Sequence, residues 1–375
     1  MQGIFGGFLQ DPVDSRSLRA GIADEHVPQP KTNPGLMSDT PTDPNASFSP
    51  IVVSGIQPSG TLHLGNYFGA IRQHIALHES HESYFFIVNY HALTTLQDAE
   101  ALRRYSFDVA LDYLALGFDP SKSNLFLQSD VPQVNELAWI FYTMTPVSQL
   151  EKGVSYKDKV AQGLSANAGL FNYPILQAAD ILIYGGTQVP VGADQKQNLE
   201  ICRDLAMRFN DRFAGDTPVL PVPEPYILDE VAVVPGVDGR KMSKSYGNTI
   251  GIFDEGKELK KKVMSIVTDS TPLEEPKDPD TCNVFALIWL FANDAKREEV
   301  AAAYRAGGFG YGHAKKELLG LITDFFAEAR EKRKELAENP SYVEDVLREG
   351  GRKGREQAES WMERIREAVG LITTY

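Results

Sequence analysis

His63, Gly65 and Asn66 stand at the end of a turn, Ser54-Gly55-Ile56-Gln57-Pro58-Ser59-Gly60-Thr61-Leu62-His63-Leu64-Gly65-Asn66-Tyr67. If a helix starts there, its first unpaired N–H groups and the positive end of its peptide dipoles face the turn. Histidine and asparagine add donors suited to negative charge developing on a phosphate, and Gly65 lets a ligand approach the backbone. A strand–helix turn with a capping histidine would use the same residues. A second group is cationic. Gly239-Arg240-Lys241-Met242-Ser243-Lys244-Ser245 sets two lysines beside two hydroxyls in a loop flanked by Gly and Pro. Their ammonium groups can follow a polyphosphate as point charges; a solvated basic loop is the plain alternative.

Asp180 is the third feature, inside Tyr173-Pro174-Ile175-Leu176-Gln177-Ala178-Ala179-Asp180-Ile181-Leu182. Gln177 and Asp180 share a helix face. A carboxylate buried among these residues needs a donor, which local pairing or capping would also supply. Asp194 follows Val189-Pro190-Val191-Gly192-Ala193 and suits a helix N-cap. Lys157 and Lys159 follow Leu150-Glu151-Lys152 and read equally as a solvated helix face.

These residues need a scaffold, and the chain alternates strand and helix to provide one. Ile51-Val52-Val53, Tyr84-Phe85-Phe86-Ile87-Val88 and Asn124-Leu125-Phe126-Leu127-Gln128 read as buried strands. Helical spacing runs over 99–116 and 134–144, and Phe68, Ile71, Ile75 and His78 mark a helix after the first turn. Such βαβ order predicts a parallel sheet with right-handed crossovers, whose ligands bind beyond the carboxyl ends of the strands. Val231-Ala232-Val233-Val234 reads as a further short strand, after a proline-rich connection at 217–225. Beyond the lysine loop, helices are expected near 255–268, 282–305, 313–338, 341–349 and 354–369. Arg352-Lys353-Gly354-Arg355 is the densest basic spot, either a solvated turn or an RNA contact.

The fold class is therefore α/β: a Rossmann-like parallel-sheet nucleotide-binding domain over 50–253 and a C-terminal α-helical domain over 254–375. Residues 1–49 read as a disordered extension, proline-punctuated and poor in apolar residues. Met37-Ser38-Asp39 would make a sensible start, so residues 1–36 read as dispensable or as a mis-assigned start. The chain has 375 residues, of which 42% are hydrophobic, enough for a full core in two domains. The two cysteines, Cys202 and Cys282, are far apart and argue for neither a disulfide framework nor a zinc site. No apolar run reaches the roughly 20 residues that span a bilayer, and a cytoplasmic setting is expected. A net charge of −14 disfavours a general nucleic-acid binder but leaves room for a local basic patch.

The pair His63-Leu64-Gly65-Asn66 and Lys241-Met242-Ser243-Lys244-Ser245 resembles the paired signatures of class I aminoacyl-tRNA synthetases. Gly55-Ile56-Gln57-Pro58-Ser59-Gly60 and Gly65-Asn66-Tyr67 narrow the resemblance to the tryptophanyl-tRNA synthetase family, from about Ile51 to the C-terminus. The resemblance implies that L-tryptophan is activated with ATP and Mg2+ and passed to tRNA(Trp) by a homodimer with no membrane association. His63, Asn66, Lys241 and Lys244 would be catalytic. ATP would meet Gln57, Pro58, Ser59, Gly65, Asn66, Lys159, Gly192, Ala193, Asp194, Val233, Lys241, Met242, Ser243, Lys244 and Ser245. Asp180 would accept the indole N–H in a tryptophan pocket with Gln177, Tyr173, His91, Val189 and Val191. Ala193 stands where many relatives carry an acid, and Gln177 where some carry methionine. A tyrosyl-tRNA synthetase, a small-molecule adenylyltransferase and a regulatory paralogue that charges no tRNA are the rival readings.

Overall fold

In the first strand, β1 (Val52–Ile56), Val52 and Ile56 enter one hydrophobic cluster and Val53 enters another. Both faces of the strand are thus covered, which explains an apolar run without polar alternation. The computed structural model describes residues 45–151, 156–157, 167–190, 195–226, 233–372 and 374. Within them β2 (Ser83–Ile87), β3 (Asn124–Leu127), β4 (Gln188–Pro190) and β5 (Glu224–Tyr226) join β1 in a parallel sheet ordered β3-β2-β1-β4-β5. Strand order reverses between β1 and β4, and the crevice beyond their carboxyl ends is where such a sheet receives a ligand. The turn after β1 enters that crevice.

The chain leaves the turn through a short helix, α1 (Leu64–Asn66), a π-helical segment Tyr67–Ile71 and α2 (Arg72–His78). Buried His74 on α2 lies 3.1 Å from Ser54 Oγ and 3.0 Å from Tyr113 OH. This polar link holds α2 between β1 and α4 (Ala99–Ala115), which follows the short α3 (Asn89–Ala92). Helices α5 (Gln133–Tyr142), α6 (Val147–Leu150), α7 (Ala168–Leu182) and α8 (Lys196–Phe213) complete the sheet-bearing half.

The helical half differs in detail from the sequence reading. The stretch 282–305 is two helices, α10 (Asn283–Phe291) and α11 (Asp294–Ala306), preceded by α9 (Gly256–Met264). The stretch 313–338 is likewise split, into α12 (Tyr311–Phe325) and α13 (Ala327–Glu338). Conversely, the two expected last helices are one, α14 (Pro340–Val369), running through the Gly350-Gly351 pair where a break was expected. These glycines do not end the helix, because they face the sheet. A Cβ on Gly350 would sit 2.2 Å from the Leu125 carbonyl oxygen, and one on Gly354 would lie 3.2 Å from the Phe126 ring. The basic spot at 352–355 is consequently mid-helix, which corrects its reading as a turn. Arg352 pairs with Glu349 and Glu356, Lys353 with Glu349, and Arg355 donates to the Asp130 carbonyl. The strand expected at 231–234 has its first two residues outside the described ones. Val233 and Val234 are not in a strand; an isolated bridge joins Pro235 to Lys241 instead.

The contrast between two helical glycines is testable. Gly320 on α12 has open space where a Cβ would go, so Gly320→Ala should stabilise by about 0.5–1 kcal/mol through helix propensity. Gly350→Ala should cost about 2–3 kcal/mol by forcing α14 off β3. Urea unfolding of both variants measures the difference, and an unchanged midpoint for Gly350→Ala would contradict the close packing.

Candidate active site

The two phosphate-type motifs are far apart in sequence, yet the backbone ties one to the other. Leu64 N–H donates to the Ile250 carbonyl at 3.0 Å and Ile252 N–H to the Leu62 carbonyl at 3.1 Å, so His63 and Gly251 form an antiparallel bridge. The turn after β1 is thereby fixed to the chain that leaves the lysine loop. His63 caps α1, and its own N–H donates to Asn66 Oδ1 at 3.0 Å. The cap is thus made through the backbone, with no cap hydrogen bond from the imidazole. It occupies the Asn66 carbonyl oxygen and leaves that side chain's amide N–H groups to act as donors.

The imidazole of His63 is buried, and its Nδ1 has no hydrogen-bond partner. Burial, with a smaller contribution from the nearby Lys244 charge, pulls His63 down to about 4. At neutral pH it is an uncharged ring that can offer one N–H. Gly65 has a packing reason beside the ligand approach expected of it. A Cβ there would lie 3.0 Å from the His63 ring and 3.4 Å from Met242 Cβ, so the glycine makes room for protein atoms from both motifs.

The lysine loop is built by Asn248, a residue the sequence reading passed over. Its Oδ1 accepts from Ser243 N–H at 2.8 Å, and its Nδ2 donates to the Lys241 carbonyl at 3.1 Å and to Asp238 Oδ1 at 2.7 Å. Gly239 takes φ +82°, which closes the turn. Met242 N–H donates to the Val234 carbonyl, and buried Met242 anchors the loop in the core. Lys244 reaches across to Ser59, donating to its carbonyl at 2.7 Å and its Oγ at 3.2 Å. Desolvation of the ammonium lowers Lys244 to about 8, against a weaker pull upwards from Asp112. Lys241, Lys244 and Ser245 are exposed as residues, with the Lys244 ammonium turned in against Ser59, and Ser243 is half-buried.

Gln57, Pro58, Ser59, Gly65 and Asn66 thus share one turn with His63, opposite Met242 and Lys244. Val233 is exposed on the segment leading to the loop. Lys159, Val191, Gly192, Ala193 and Asp194 lie outside the described residues.

Asp180, on α7 and buried, has the donors its burial demands. His91 Nε2 lies 2.8 Å from Oδ2, and Gln128 Nε2 donates to both carboxylate oxygens at 2.8 Å. Burial pushes the carboxyl up, and the His91 and Gln128 hydrogen bonds oppose it. A carboxylate has about four lone-pair positions, so the local pairing seen here leaves capacity for one further donor. Gln128 was not singled out in the sequence. Its Oε1 also accepts from the Tyr90 and His91 N–H groups, so one amide fixes both α3 and the Asp180 carboxylate. The available signal was its place as the polar last residue of an apolar strand segment, at the sheet's carboxyl edge. Tyr173 meets His91 edge-on at 6.4 Å, Val189 is buried on β4, and Gln177 Nε2 lies 3.4 Å from Gln195 Oε1. Gln177 Oε1 is buried without a partner. Among the described residues no group of His, Cys, Asp and Glu side chains could hold a metal ion. Around Lys244 the chain offers ammonium, hydroxyl and carbonyl groups, a donor set for phosphate oxygens rather than a cage for a resident cation.

This geometry sets a loop bearing two lysines against the turn after β1 of a parallel α/β sheet, with the buried Asp180 carboxylate held by His91 and Gln128. A family model described as tRNA synthetases class I (W and Y) matches residues 47–327, and the chain belongs to that family. The tryptophan–tRNA ligase of Fusobacterium nucleatum is 54% identical over 320 residues, covering 85% of this chain and 98% of the relative. That of Rhodopirellula baltica is 53% identical over 85% and 99%. The Campylobacter jejuni tryptophanyl-tRNA synthetase, solved with ADP and tryptophan, superposes with a TM-score of 0.80 at 50% identity, over 86% of this chain and 100% of that one. Within the family the chain is thus an aminoacyl-tRNA synthetase of the tryptophan–tRNA ligase branch.

Lys244 gives the site a pH signature. A lysine at about 8 is mostly charged at pH 7 and mostly neutral at pH 9. ATP affinity should therefore fall about tenfold between those pH values. Lys244→Arg keeps its charge throughout, so its affinity should stay flat over the same range. Equilibrium binding of ATP at each pH measures both, and an equally steep fall in the arginine variant would rule out Lys244 as the titrating group.

Proposed function

We propose that residues 50–253 activate L-tryptophan with ATP and that residues 254–375 present tRNA(Trp) to the same site. The observation that supports this most is the bridge between His63 and Gly251, which puts both phosphate-type motifs on one crevice. The tryptophan carboxylate attacks the α-phosphorus of ATP, pyrophosphate departs, and the terminal ribose of the tRNA then accepts the tryptophanyl group. Such transfers depend on positioning and charge stabilisation rather than on a protein nucleophile. Asn66 N–H groups, neutral His63 and the start of α1 face the charge developing near the α-phosphate. Lys241 and Lys244 hold the departing pyrophosphate, Lys244 exchanging Ser59 for phosphate oxygens as ATP arrives. Mg2+ enters as the companion of the ATP phosphates.

Asp180 takes the indole N–H as its remaining donor, with Gln128 and His91 holding the carboxylate still. A site built to satisfy one N–H donor rejects side chains that lack it, because its acceptor stays unpaired. Gln177 Oε1, buried and unpartnered, suits the substrate's ammonium group. We also assign a homodimer. Trp139 (69% exposed) and Val147 (62%) project from α5 and α6, large apolar groups that a second copy would cover. Sedimentation equilibrium should give twice the chain mass, falling to the single mass in Trp139→Glu. A cytoplasmic setting completes the assignment; among the described residues no helix is long and apolar enough to cross a membrane.

The decisive assay is amino-acid-dependent exchange of labelled pyrophosphate into ATP. Exchange with tryptophan and not with tyrosine is the expected result. Exchange with tyrosine alone would overturn the role given to Asp180, and none with either would overturn amino-acid activation.

A further inference from the structure

The protein carries a net charge of −14, so an uncompensated basic face on it is unusual and worth a cause. On α9, Leu259 and Val263 are buried against the core, while Lys257, Lys260 and Lys261 are all exposed on the opposite side. At 100° per residue these three fall within one third of the helix circumference. None of the three makes an ion pair or hydrogen bond among the described residues. Lys262, on the flank, does: it pairs with Asp254 at 2.8 Å and Glu258 at 3.2 Å. Lys315 of α12 donates to the Met264 carbonyl at the far end of α9 and extends the positive surface there. On α14, Arg352 and Lys353 are neutralised in place by Glu349 and Glu356, and on α13 Arg333 and Lys334 pair with Asp108, Asp112, Glu255 and Glu331.

This face is also fixed relative to the reacting atoms. Gly251 bridges to His63, Asp254 Oδ2 accepts from Gly251 N–H at 2.6 Å and binds Lys262, and α9 starts two residues later. Even a fully extended chain from Gly251 to Lys257 spans no more than roughly 20 Å. The lysine face is therefore attached by a short, hydrogen-bonded strap to the turn that holds the α-phosphate.

We propose that Lys257, Lys260 and Lys261 of α9 form the phosphate-contacting face for tRNA, gripping the backbone next to its reactive end. The inference rests on the aminoacylation read above and adds the surface by which the second substrate is held. Lysines without acid partners suit this task, because they need not break an ion pair to meet a phosphate. Each contact releases counterions and adds about 0.7–0.9 to the slope of log affinity against log salt. The contacts carry no base information, so this face supplies affinity and position rather than identity.

The test compares the wild-type chain with Lys257→Ala/Lys260→Ala/Lys261→Ala and with the triple arginine variant, using transcribed tRNA(Trp). The alanine variant should raise the KM for tRNA at least tenfold and lower the salt slope of binding by about two to three. Its tryptophan-dependent pyrophosphate exchange should stay within twofold of wild type, and the arginine variant should keep tRNA affinity. An unchanged KM and salt slope in the alanine variant, with exchange intact, would overturn the proposal while leaving activation untouched. A loss of heparin binding with an unchanged KM for tRNA would overturn it too, marking a generic polyanion surface. Absence of exchange in the wild-type chain would instead count against the activation reading itself.

Discussion

The pair of backbone hydrogen bonds joining Leu62 and Leu64 to Ile252 and Ile250 is the constraint on which the site depends. Without it, the turn after β1 and the lysine loop would be two polar segments with no fixed relation. With it, the imidazole of His63, Met242 and the backbone of Gly65 pack as one unit, and Lys244 is left within reach of Ser59. Main-chain bonds suit this role. They hold regardless of the protonation state of the side chains, so charge can change in the crevice without loosening its frame.

The resting arrangement of the cationic groups has its own logic. Lys244 is held by a carbonyl and a hydroxyl, neutral acceptors that satisfy its N–H groups without cancelling its charge. A carboxylate in their place would compete with a phosphate; a serine yields to one. The opposite strategy governs Asp180, where His91 and Gln128 saturate most of the carboxylate and confine it to one orientation. One polar group is kept exchangeable and the other immobile. That division suits the roles proposed for them, release of pyrophosphate at Lys244 and recognition of a side chain at Asp180.

Much of this was legible in the sequence, for reasons that differ by element. The strands β1, β2 and β3 announced themselves because a doubly covered parallel strand is apolar throughout. The lysine loop and the turn after β1 were legible as motifs because glycine, proline and charged residues concentrate where backbone and solvent meet. Gln128 and Asn248 were not, since each works through partners far from it in sequence or through backbone atoms that leave no trace in residue type. The last helix was misjudged for a similar reason. Gly350, Gly351 and Gly354 signal a break by propensity, and only the strand lying against them shows that they are contact residues. The acidic balance, a sum over the whole chain, gave no sign of the exposed lysines on α9.

The seating of α14 on β3 also sets an order of events in synthesis. β3 is an edge strand of the sheet, and α14 packs against its backbone at Leu125. More than two hundred residues separate the two, so at about 5–20 residues per second the strand leaves the ribosome some ten to forty seconds before its cover exists. During that interval an apolar parallel strand presents unpaired backbone groups to any neighbouring nascent chain. The emergence of α14, rather than the formation of the sheet, is the moment at which this edge gains its cover.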